Sequence, residues 1–408
     1  MAETLTRTAS IRPWVTDKIF MGLSPREYLQ SLVTPGNIIS ALILVVGVPI
    51  MVYRFVAGLS AVTNLSQTAP WGLWIGFDML GGVALAAGGY TIASSVYIFG
   101  LKEYRPIVRP AVLTGFLGYL FAVFGLLMDL GQPWRIPYPI FYSAGPTSVM
   151  FEVGWCVFLY TTVLFIEFTP PIFEWLGLKK LRAYAMQLTL AATVFGVVLS
   201  TLHQSSLGAL FLLTPTKLHP LWYSSFIPLY FFISSVIAGL SMVIFESALS
   251  HRIFRDQLDP TKHVDLDGLT VGLAKGASVV LFAYFFLLLQ GLADGGDWHY
   301  LATPYGYWYM FEVGGFVLLP CLLYAHAART ANARLARGTA ILTVAGIVLN
   351  RLNVSVIAMN WNAEVRYVPS WMEVVVSITI VTMGIMTYRW IVNRMPVLHD
   401  HPEFGDAH

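Results

Sequence analysis

The sequence Val198-Leu-Ser-Thr-Leu-His203-Gln-Ser-Ser-Leu-Gly208 places an imidazole, a carboxamide and two neighbouring serines inside a long apolar run. Such a polar set is costly in hydrocarbon, so its presence in a membrane helix requires a reason. One reason is packing, because Ser, Gln and His side chains often hydrogen-bond one membrane helix to another. The other is a site that holds a small polar head group and moves protons. The rest of the chain favours the second reason.

The composition is that of a protein that crosses a bilayer several times. The chain has 408 residues, of which 57% are hydrophobic and 11% charged, and its mean hydropathy is +0.68. A soluble chain of this length could not cover its surface with so few charges. The net charge of +2 gives no indication of nucleic-acid binding. We therefore expect the lipid bilayer as the surroundings of the chain, and no nucleic acid as a partner.

Ten apolar runs are each long enough to cross a hydrocarbon core of roughly 30 Å, which takes about 20 helical residues. The connections between them are short, so we predict an all-α integral membrane protein of about ten transmembrane helices with no soluble domain. The predicted spans are residues 37–62, 72–100, 107–129, 147–168, 184–210, 221–249, 269–292, 306–328, 338–360 and 370–393.

Polar segments flank this predicted membrane domain, which covers residues 37–393. In residues 1–36, Ser24, Pro25 and Glu27 have the spacing of an N-cap, a first-turn proline and a capping-box glutamate. This pattern predicts a short helix, lying on the membrane surface or against a partner. Residues 394–408 form a predicted cytoplasmic tail.

The distribution of Lys and Arg predicts the orientation of the helices. Four alternate loops contain twelve positive residues, whereas the other five contain only four. Because cytoplasmic loops are enriched in Lys and Arg, we predict that both termini are cytoplasmic and that the protein lies in a bacterial inner membrane. The twelve residues are Lys102, Arg105, Arg109, Lys179, Lys180, Arg182, Arg252, Arg255, Lys262, Arg329, Arg334 and Arg337.

Two motifs recur four helices apart. Met150-Phe-Glu-Val-Gly154 is repeated as Met310-Phe-Glu-Val-Gly314, and the segment 198–205 is repeated more loosely as 348–355. Four is an even number, so both copies have the same orientation across the membrane. We therefore predict two parallel four-helix bundles, made of helices 2–5 and 6–9, with helices 1 and 10 flanking them.

Ionisable and amide side chains fall at a common depth, roughly 10 Å below the outer ends of the helices at about 1.5 Å per residue. A set at one depth from several helices predicts a shared polar cavity, whereas one such residue could be a packing feature. In the first bundle the set comprises Asp78, Glu152, His203 and Gln204, with Asp129 at the outer end of helix 3. Arg54 lies near the outer end of the flanking helix 1, and the second-bundle and flanking residues at comparable depth are Glu312, Arg351, Asn353 and Glu373.

The inner half of the spans has fewer polar residues. Glu167, Glu246, Lys275 and His326 lie near predicted cytoplasmic helix ends, where long side chains can reach water. The alternative is a proton path from the cytoplasm, for which Glu246 is the best candidate. The residues that we assign to such a path are Glu246, Glu167, Glu312 and Arg351.

The histidines and cysteines do not have the pattern of a metal or haem site. His203 and His326 lie near opposite faces of the membrane, so they could not be the two axial ligands of one haem. Cys156 and Cys321 lie on different spans and form no Cys-x-x-Cys pair. We therefore expect no haem, iron–sulfur cluster or other metal in this chain.

The outer loops are rich in proline and tryptophan. Tryptophans commonly form a belt at the membrane interface, but these loops also suit the docking of a periplasmic partner. The tryptophans in question are Trp71, Trp74, Trp134, Trp222, Trp298, Trp308, Trp361 and Trp371.

Several segments resemble the NrfD/polysulfide reductase family of membrane subunits over most of residues 37–393. The similarity extends to the ten-helix branch that includes the membrane subunits of Hyb-type hydrogenase and of the menaquinone reductase complex. It is most specific at Pro70–Asp78 and His203–Trp222. The motifs are Pro70-Trp-Gly-Leu-Trp-Ile-Gly-Phe-Asp78, Val108-Arg-Pro110, Phe151-Glu152, His203-Gln-Ser-Ser-Leu-Gly208, His219-Pro-Leu-Trp222 and Phe245-Glu246.

The resemblance implies a subunit of a multi-subunit, periplasm-facing oxidoreductase that binds menaquinone near the periplasmic face. A ferredoxin-like iron–sulfur subunit would exchange electrons with the quinone, and a further catalytic or cytochrome subunit would complete the complex. By position, the resemblance assigns the quinone pocket to Asp78, Glu152, His203 and Gln204, to which we add Trp71 as a contact and Asp129 as a catalytic carboxyl group.

The expected chemistry agrees with this assignment. Interconversion of quinone and quinol moves two protons, and histidine or a partly desolvated carboxyl group can exchange protons near neutral pH. His203 would serve one head-group oxygen, Gln204 would orient it, and Asp78 and Glu152 would pass protons to the periplasm. Because Asn353 replaces His203 in the second bundle and cannot exchange a proton, we expect the quinone in the first bundle only.

Two other functions are open at this stage. A secondary transporter could use the same polar residues and repeat, with Glu246 and Lys275 as coupling sites, although the polar layer is shallow and no span reads as interrupted. A plain membrane anchor would need only the tryptophan-rich loops to recruit its partner.

Overall fold

The computed structural model describes residues 14–143, 145–257, 264–399 and 404. This part of the chain is helical and has no β-strand, and ten of its helices are long and apolar enough to cross a membrane, as predicted. The first 13 residues, Lys262 and most of the predicted tail lie outside the described residues. The helices are α1 (Pro35–Ala57), α2 (Trp74–Tyr97), α3 (Lys102–Asp129), α4 (Val149–Leu176), α5 (Lys179–Leu212), α6 (Ile227–Ile253), α7 (Leu266–Gly295), α8 (Pro304–Arg329), α9 (Ala333–Asn360) and α10 (Trp371–Val392).

A short helix, Pro25–Ser31, precedes α1 and has the capping box expected from its sequence. The Ser24 hydroxyl accepts a hydrogen bond from the Glu27 backbone N–H at 3.4 Å, and the Glu27 carboxylate accepts one from the Ser24 N–H at 2.9 Å. Arg394, just after α10, donates to the Ile19 carbonyl and to the Tyr28 hydroxyl. The two ends of the described chain therefore meet on one face of the protein.

We name the two faces by their residues. The arginine-rich face carries Arg105, Arg182, Arg255 and Arg334, and the tryptophan-rich face carries Trp134, Trp222, Trp298 and Trp361. Which face is cytoplasmic stays a prediction from charge.

Two rings of four helices make up the body of the protein. In the first, α2 packs on α3, α3 on α4, α4 on α5, and α5 on α2; in the second, α6 to α9 contact one another in the same cyclic way. Contacts of α6 with α2 and α5, and of α9 with α2, join the rings. Helix α10 packs on α3 and on the first part of α2, and α1 packs on α10. These contacts give the neighbours that the two-bundle prediction requires, while the internal symmetry stays a prediction.

Helix α2 lies between the rings and is the most buried span. Residues Trp74–Gly81 are π-helical, and a turn at Ala86 and Ala87 separates two α-helical parts. Both turn residues keep right-handed helical dihedrals, so α2 continues as one span that is locally distorted at this point. Further π-helical segments occupy Gly314–Leu318 and Asn353–Ile357. Such segments are frequent at functional sites.

Helices α2 and α6 cross at two glycines. A Cβ atom added to Gly239 would lie 2.8 Å from the backbone of Ala87 and Gly88, and one added to Gly88 would lie 2.8 Å from the Val243 side chain. Small residues allow membrane helices to approach this closely. The crossing therefore fixes the contact between the two rings.

We expect Gly239→Ala to lower the free energy of unfolding by about 1–3 kcal/mol, because the added methyl group must push α2 away from α6. The measurement is a denaturant titration of the detergent-purified protein. Gly338→Ala in α9 is the matched control, since a Cβ atom there would meet nothing within 4 Å. Equal losses in the two variants would show that the crossing is not tightly packed.

Candidate functional site

The candidate site is a groove of about 450 Å³ between α2, α3, α6 and α10, which we name the α10 groove. Its walls are almost wholly apolar. Two acidic side chains, Asp78 and Glu246, line it; Asp78 lies near its tryptophan-rich end and Glu246 near its arginine-rich end. The apolar lining includes Phe77, Leu117, Phe121, Phe245, Ile380 and Ile385.

Three helices position Asp78. The residue lies in the π-helical part of α2 and is 5% exposed, and its carboxylate accepts a hydrogen bond from the Ser377 hydroxyl of α10 at 2.5 Å. Gly125 of α3 packs against it, since a Cβ atom at Gly125 would lie 2.6 Å from the Asp78 Cβ. The absent side chain at Gly125 therefore makes room for a buried carboxyl group at the edge of the groove.

His203 lies elsewhere, in the interior of the first ring, and is fully buried. Its Nδ1 atom is 2.8 Å from the Leu199 carbonyl, and its Nε2 atom pairs with the Tyr119 hydroxyl. Because a carbonyl oxygen only accepts, Nδ1 carries the hydrogen, and in the neutral ring Nε2 accepts from Tyr119. Both ring nitrogens are therefore occupied by the protein itself.

Gln204 extends this cluster. Its amide donates to the Val83 carbonyl of α2 at 3.1 Å and to the Tyr119 hydroxyl at 3.4 Å. His203 and Gln204 thus tie α5 to α2 and α3, and neither side chain lines the groove. Tyr119, which sequence reasoning missed, is the residue that both of them contact.

The other predicted site residues are dispersed. Glu152 is half-buried, and its carboxylate forms no hydrogen bond or ion pair within the described ranges. Trp71 packs edge-on against Phe211, with ring centroids 5.3 Å apart. Asp129 is half-buried beside Arg54, whose guanidinium donates to the Met128 carbonyl at 2.6 Å. Of the six predicted pocket residues, only Asp78 lines the α10 groove.

The second ring contains a self-contained polar network. Glu312 accepts hydrogen bonds from Trp222 at 2.8 Å and from Asn350 and Asn353 at 2.6 Å each. Arg351 donates to Asn350 at 2.8 Å and lies over the Phe231 ring, 3.8 Å from its centroid. Both carboxylate oxygens of Glu312 thus have partners. The repeat-related residues of the first ring, Glu152 and His203, are not bonded to each other.

The residues assigned to a proton path occupy three separate settings. Glu167 accepts from the Thr193 hydroxyl at 2.6 Å, Glu246 lines the groove, and Glu312 belongs with Arg351 to the second-ring network. No hydrogen bond among the described residues joins one setting to another.

Sequence reasoning also missed that α10 serves both groove carboxyl groups. Besides the bond from Ser377 to Asp78, the Tyr388 hydroxyl donates to Glu246 at 2.8 Å. No three His, Cys, Asp or Glu side chains converge as metal ligands would in the described part of the chain. The groove thus combines an apolar body with a carboxyl group and a hydroxyl donor at each end, which suits an organic ligand with an oxygen-bearing head.

An aromatic box encloses His219 in the loop between α5 and α6. The imidazole is 2% exposed and lies 4.8 Å from the rings of Tyr305 and Trp361. Its Nδ1 atom accepts a hydrogen bond from the Leu221 backbone N–H at 3.2 Å. Burial lowers the pKa of His219 from 6.5 to about 4.

The protein is expected to lose stability as the pH falls from about 6.5 towards 4. In that range His219 binds a proton in the unfolded chain but not in the folded chain, and this difference favours unfolding. Above pH 6.5 the imidazole is neutral in both states, so the loss of stability is absent. The measurement compares unfolding midpoints between pH 7 and pH 5 for the wild type and His219→Asn. Asparagine can accept the same hydrogen bond without titrating, so the unfolding midpoint of His219→Asn should change less with pH than that of the wild type. An equal change of the midpoint with pH in both proteins would exclude His219 as the cause of the pH dependence.

Comparison with known proteins gives consistent matches over the membrane domain. Residues 61–362 match the family model described as polysulphide reductase, NrfD. A protein of Nitratidesulfovibrio vulgaris is 55% identical, covering 93% of this chain and 98% of the relative. The probable Ni/Fe-hydrogenase 2 b-type cytochrome subunit of Escherichia coli is 33% identical, covering 89% and 94%. The menaquinone reductase integral membrane subunit of N. vulgaris is 29% identical, covering 86% and 89%.

Proposed function

The chain belongs to the polysulphide reductase, NrfD, family, as its motifs predicted, and from this premise we propose that it is the quinone-interacting subunit of a membrane oxidoreductase complex. It is a multi-pass integral membrane protein, and the described residues include ten helices long and apolar enough to cross a membrane. In the proposal it exchanges electrons between menaquinone and a periplasmic iron–sulfur subunit, in the bacterial inner membrane. The names of two relatives, a hydrogenase subunit and a menaquinone reductase subunit, support a complex of this class.

The observation that carries the proposal is the α10 groove with Asp78 at its tryptophan-rich end. A quinone has a long apolar tail and a head with two oxygens, and the groove offers apolar walls that lead to the buried Asp78 carboxyl group at this end. A pocket of this kind, apolar with few polar groups, is typical of sites for small organic ligands. When bound, the quinone supplies the two-electron chemistry; Asp78 exchanges a proton with the head group, and Ser377 holds the carboxylate in place.

The other predicted residues take supporting roles in this proposal. His203 and Gln204 hold Tyr119, whose neighbour Gly118 lines the groove, so they position the α3 wall. Glu152 and Asp129 are proposed to accept protons on the way to the tryptophan-rich face. Trp71 is proposed to contact the quinone at that face. Proton movement across the membrane through Glu246, Glu167, Glu312 and Arg351 is a separate proposal, because bridging water would have to join their three settings.

Purification of the complex in mild detergent tests the proposed function. Mass spectrometry would identify the co-purifying proteins, and organic extraction would identify the quinone. We expect an iron–sulfur subunit and menaquinone in near-stoichiometric amounts. A lone protein without quinone would contradict the proposal.

A secondary transporter is the second candidate, because a two-residue turn at Ala86 and Ala87 distorts α2 and Ala86 lines the groove. Transporters commonly build substrate sites from interrupted helices near the middle of the membrane. Substrate uptake into vesicles that contain this chain alone would favour the transporter.

A further inference from the structure

The arginine-rich end of the α10 groove contains two buried oxygen atoms that make no hydrogen bond of normal geometry in the described part of the protein. Glu246 of α6 is 8% exposed, and its Oε1 atom accepts from the Tyr388 hydroxyl at 2.8 Å. Its Oε2 atom is buried and makes no hydrogen bond of normal geometry in the described part of the protein, and the same holds for the hydroxyl of Thr114 on α3, which lies beside the Glu246 carboxyl group. Both residues line the groove.

Unpaired buried oxygens of this kind are uncommon, because nearly all buried polar atoms in proteins have a partner. Here two of them belong to the same end of one groove, on facing helices. Because the Thr114 hydroxyl and the Glu246 carboxyl group lie side by side without a hydrogen bond of normal geometry, a ligand oxygen that enters this end can bond to both.

The chemistry of the two groups identifies the class of head group. Thr114 can donate to a carbonyl oxygen, and Glu246 can accept from a hydroxyl group, so the pair suits a quinone and its quinol equally. A phosphate head is disfavoured, since the Glu246 carboxylate would repel it. Arg389 also lines the groove, and its hydrogen bond to the neutral Asn37 side chain at 2.9 Å leaves its positive charge in place, so phospholipid is the competing occupant that the test must distinguish.

This end is distinct from the Asp78 end. Ser377, which contacts Asp78, and Tyr388, which contacts Glu246, are eleven residues apart on α10. At about 1.5 Å per residue the two ends are about 16 Å apart along the helix. One ring system cannot contact both carboxyl groups at once.

We propose that Glu246 and Thr114 form a second quinone head-group site at the arginine-rich end of the α10 groove. The proposal rests on the proposed function, because it assumes that the groove takes quinone. It assigns Glu246 to ligand binding, and it predicts that quinone occupies the groove in two positions.

Photolabelling of the purified complex with an azido-naphthoquinone tests the second site. In the wild type we expect labelled peptides from the Asp78 end and, separately, from α3 and α6 around Thr114 and Glu246. In Thr114→Val and in Glu246→Gln the second group of labels should fall about tenfold, the effect of one or two lost hydrogen bonds. The Asp78 labels should stay unchanged.

The matched control is Thr189→Val in α5, whose hydroxyl donates to the Ala185 carbonyl at 3.2 Å outside the groove. Thr114→Val preserves side-chain shape, so it decides the question alone if Glu246→Gln does not assemble. The proposal is overturned if only the Asp78 end is labelled, if neither variant reduces the second label, or if excess phospholipid displaces that label and menaquinone does not. Absence of all labelling and of bound quinone would instead show that the proposed function itself fails.

Discussion

Replacing Asp78 with asparagine is expected to lower quinone-linked turnover of the assembled complex by about 100-fold or more, the usual contribution of a positioned proton donor or acceptor. Asparagine has the shape of aspartate and can still accept the hydrogen bond from Ser377, but it cannot exchange a proton. The variant should therefore assemble normally. Turnover is measured with a water-soluble menaquinone analogue, and assembly by the recovery of partner subunits.

Asp294→Asn is the control for this experiment. Asp294 lies exposed near the end of α7 on the tryptophan-rich face, so its replacement removes one negative charge from that face without touching the groove. We expect near-wild-type turnover from it. If Asp78→Asn kept more than half of the wild-type rate, Asp78 would not be the proton partner. A chain that serves only as a membrane anchor would give that result.

The number and type of the helices could be predicted because they follow from hydrophobic length. The boundaries were less accurate at the arginine-rich face, where α5 begins at Lys179 instead of residue 184 and α4 runs to Leu176 instead of residue 168. In α4 the helix continues through Pro170 and Pro171. Buried ion pairs at Glu174 hold this last part of the helix, and they depend on residues from α3 and α5 that no local pattern of α4 reveals.

The candidate site could be predicted only in part, because depth along a helix does not give direction around it. Asp78 and His203 have similar predicted depth, yet Asp78 faces α10 and His203 faces Tyr119 inside the first ring. The π-helical turn at Asp78 also changes the angular spacing of the side chains on α2. The partners on α10 had one signal in the sequence: Ser377 and Tyr388 lie eleven residues apart, three helical turns, and so share a face.

The buried ion pairs at the arginine-rich face lead to the second large expected effect. Glu174 of α4 accepts hydrogen bonds from Arg109 of α3 at 2.9 and 3.0 Å and from Arg182 of α5 at 2.9 Å. The Glu174 side chain is 1% exposed and that of Arg182 is 7% exposed. Arg109 also donates to the Pro396 carbonyl at 2.9 Å. One carboxylate thus joins three helices of the first ring, and Arg109 connects them to the segment after α10.

Glu174→Ala is expected to lower the free energy of unfolding by about 3–5 kcal/mol, because it leaves the buried Arg182 and the half-buried Arg109 without their counter-charge. The measurement is a denaturant titration of the purified protein in mixed micelles. Asp267→Ala is the matched control: its ion pair with Arg337 at 2.5 Å is exposed, with side-chain exposures of 71% and 33%, and such pairs contribute about 0–1 kcal/mol. Glu174→Gln should give an intermediate loss, since it keeps a hydrogen-bond acceptor and removes the charge. A loss in Glu174→Ala no greater than that in Asp267→Ala would mean that water reaches the cluster and screens its charges.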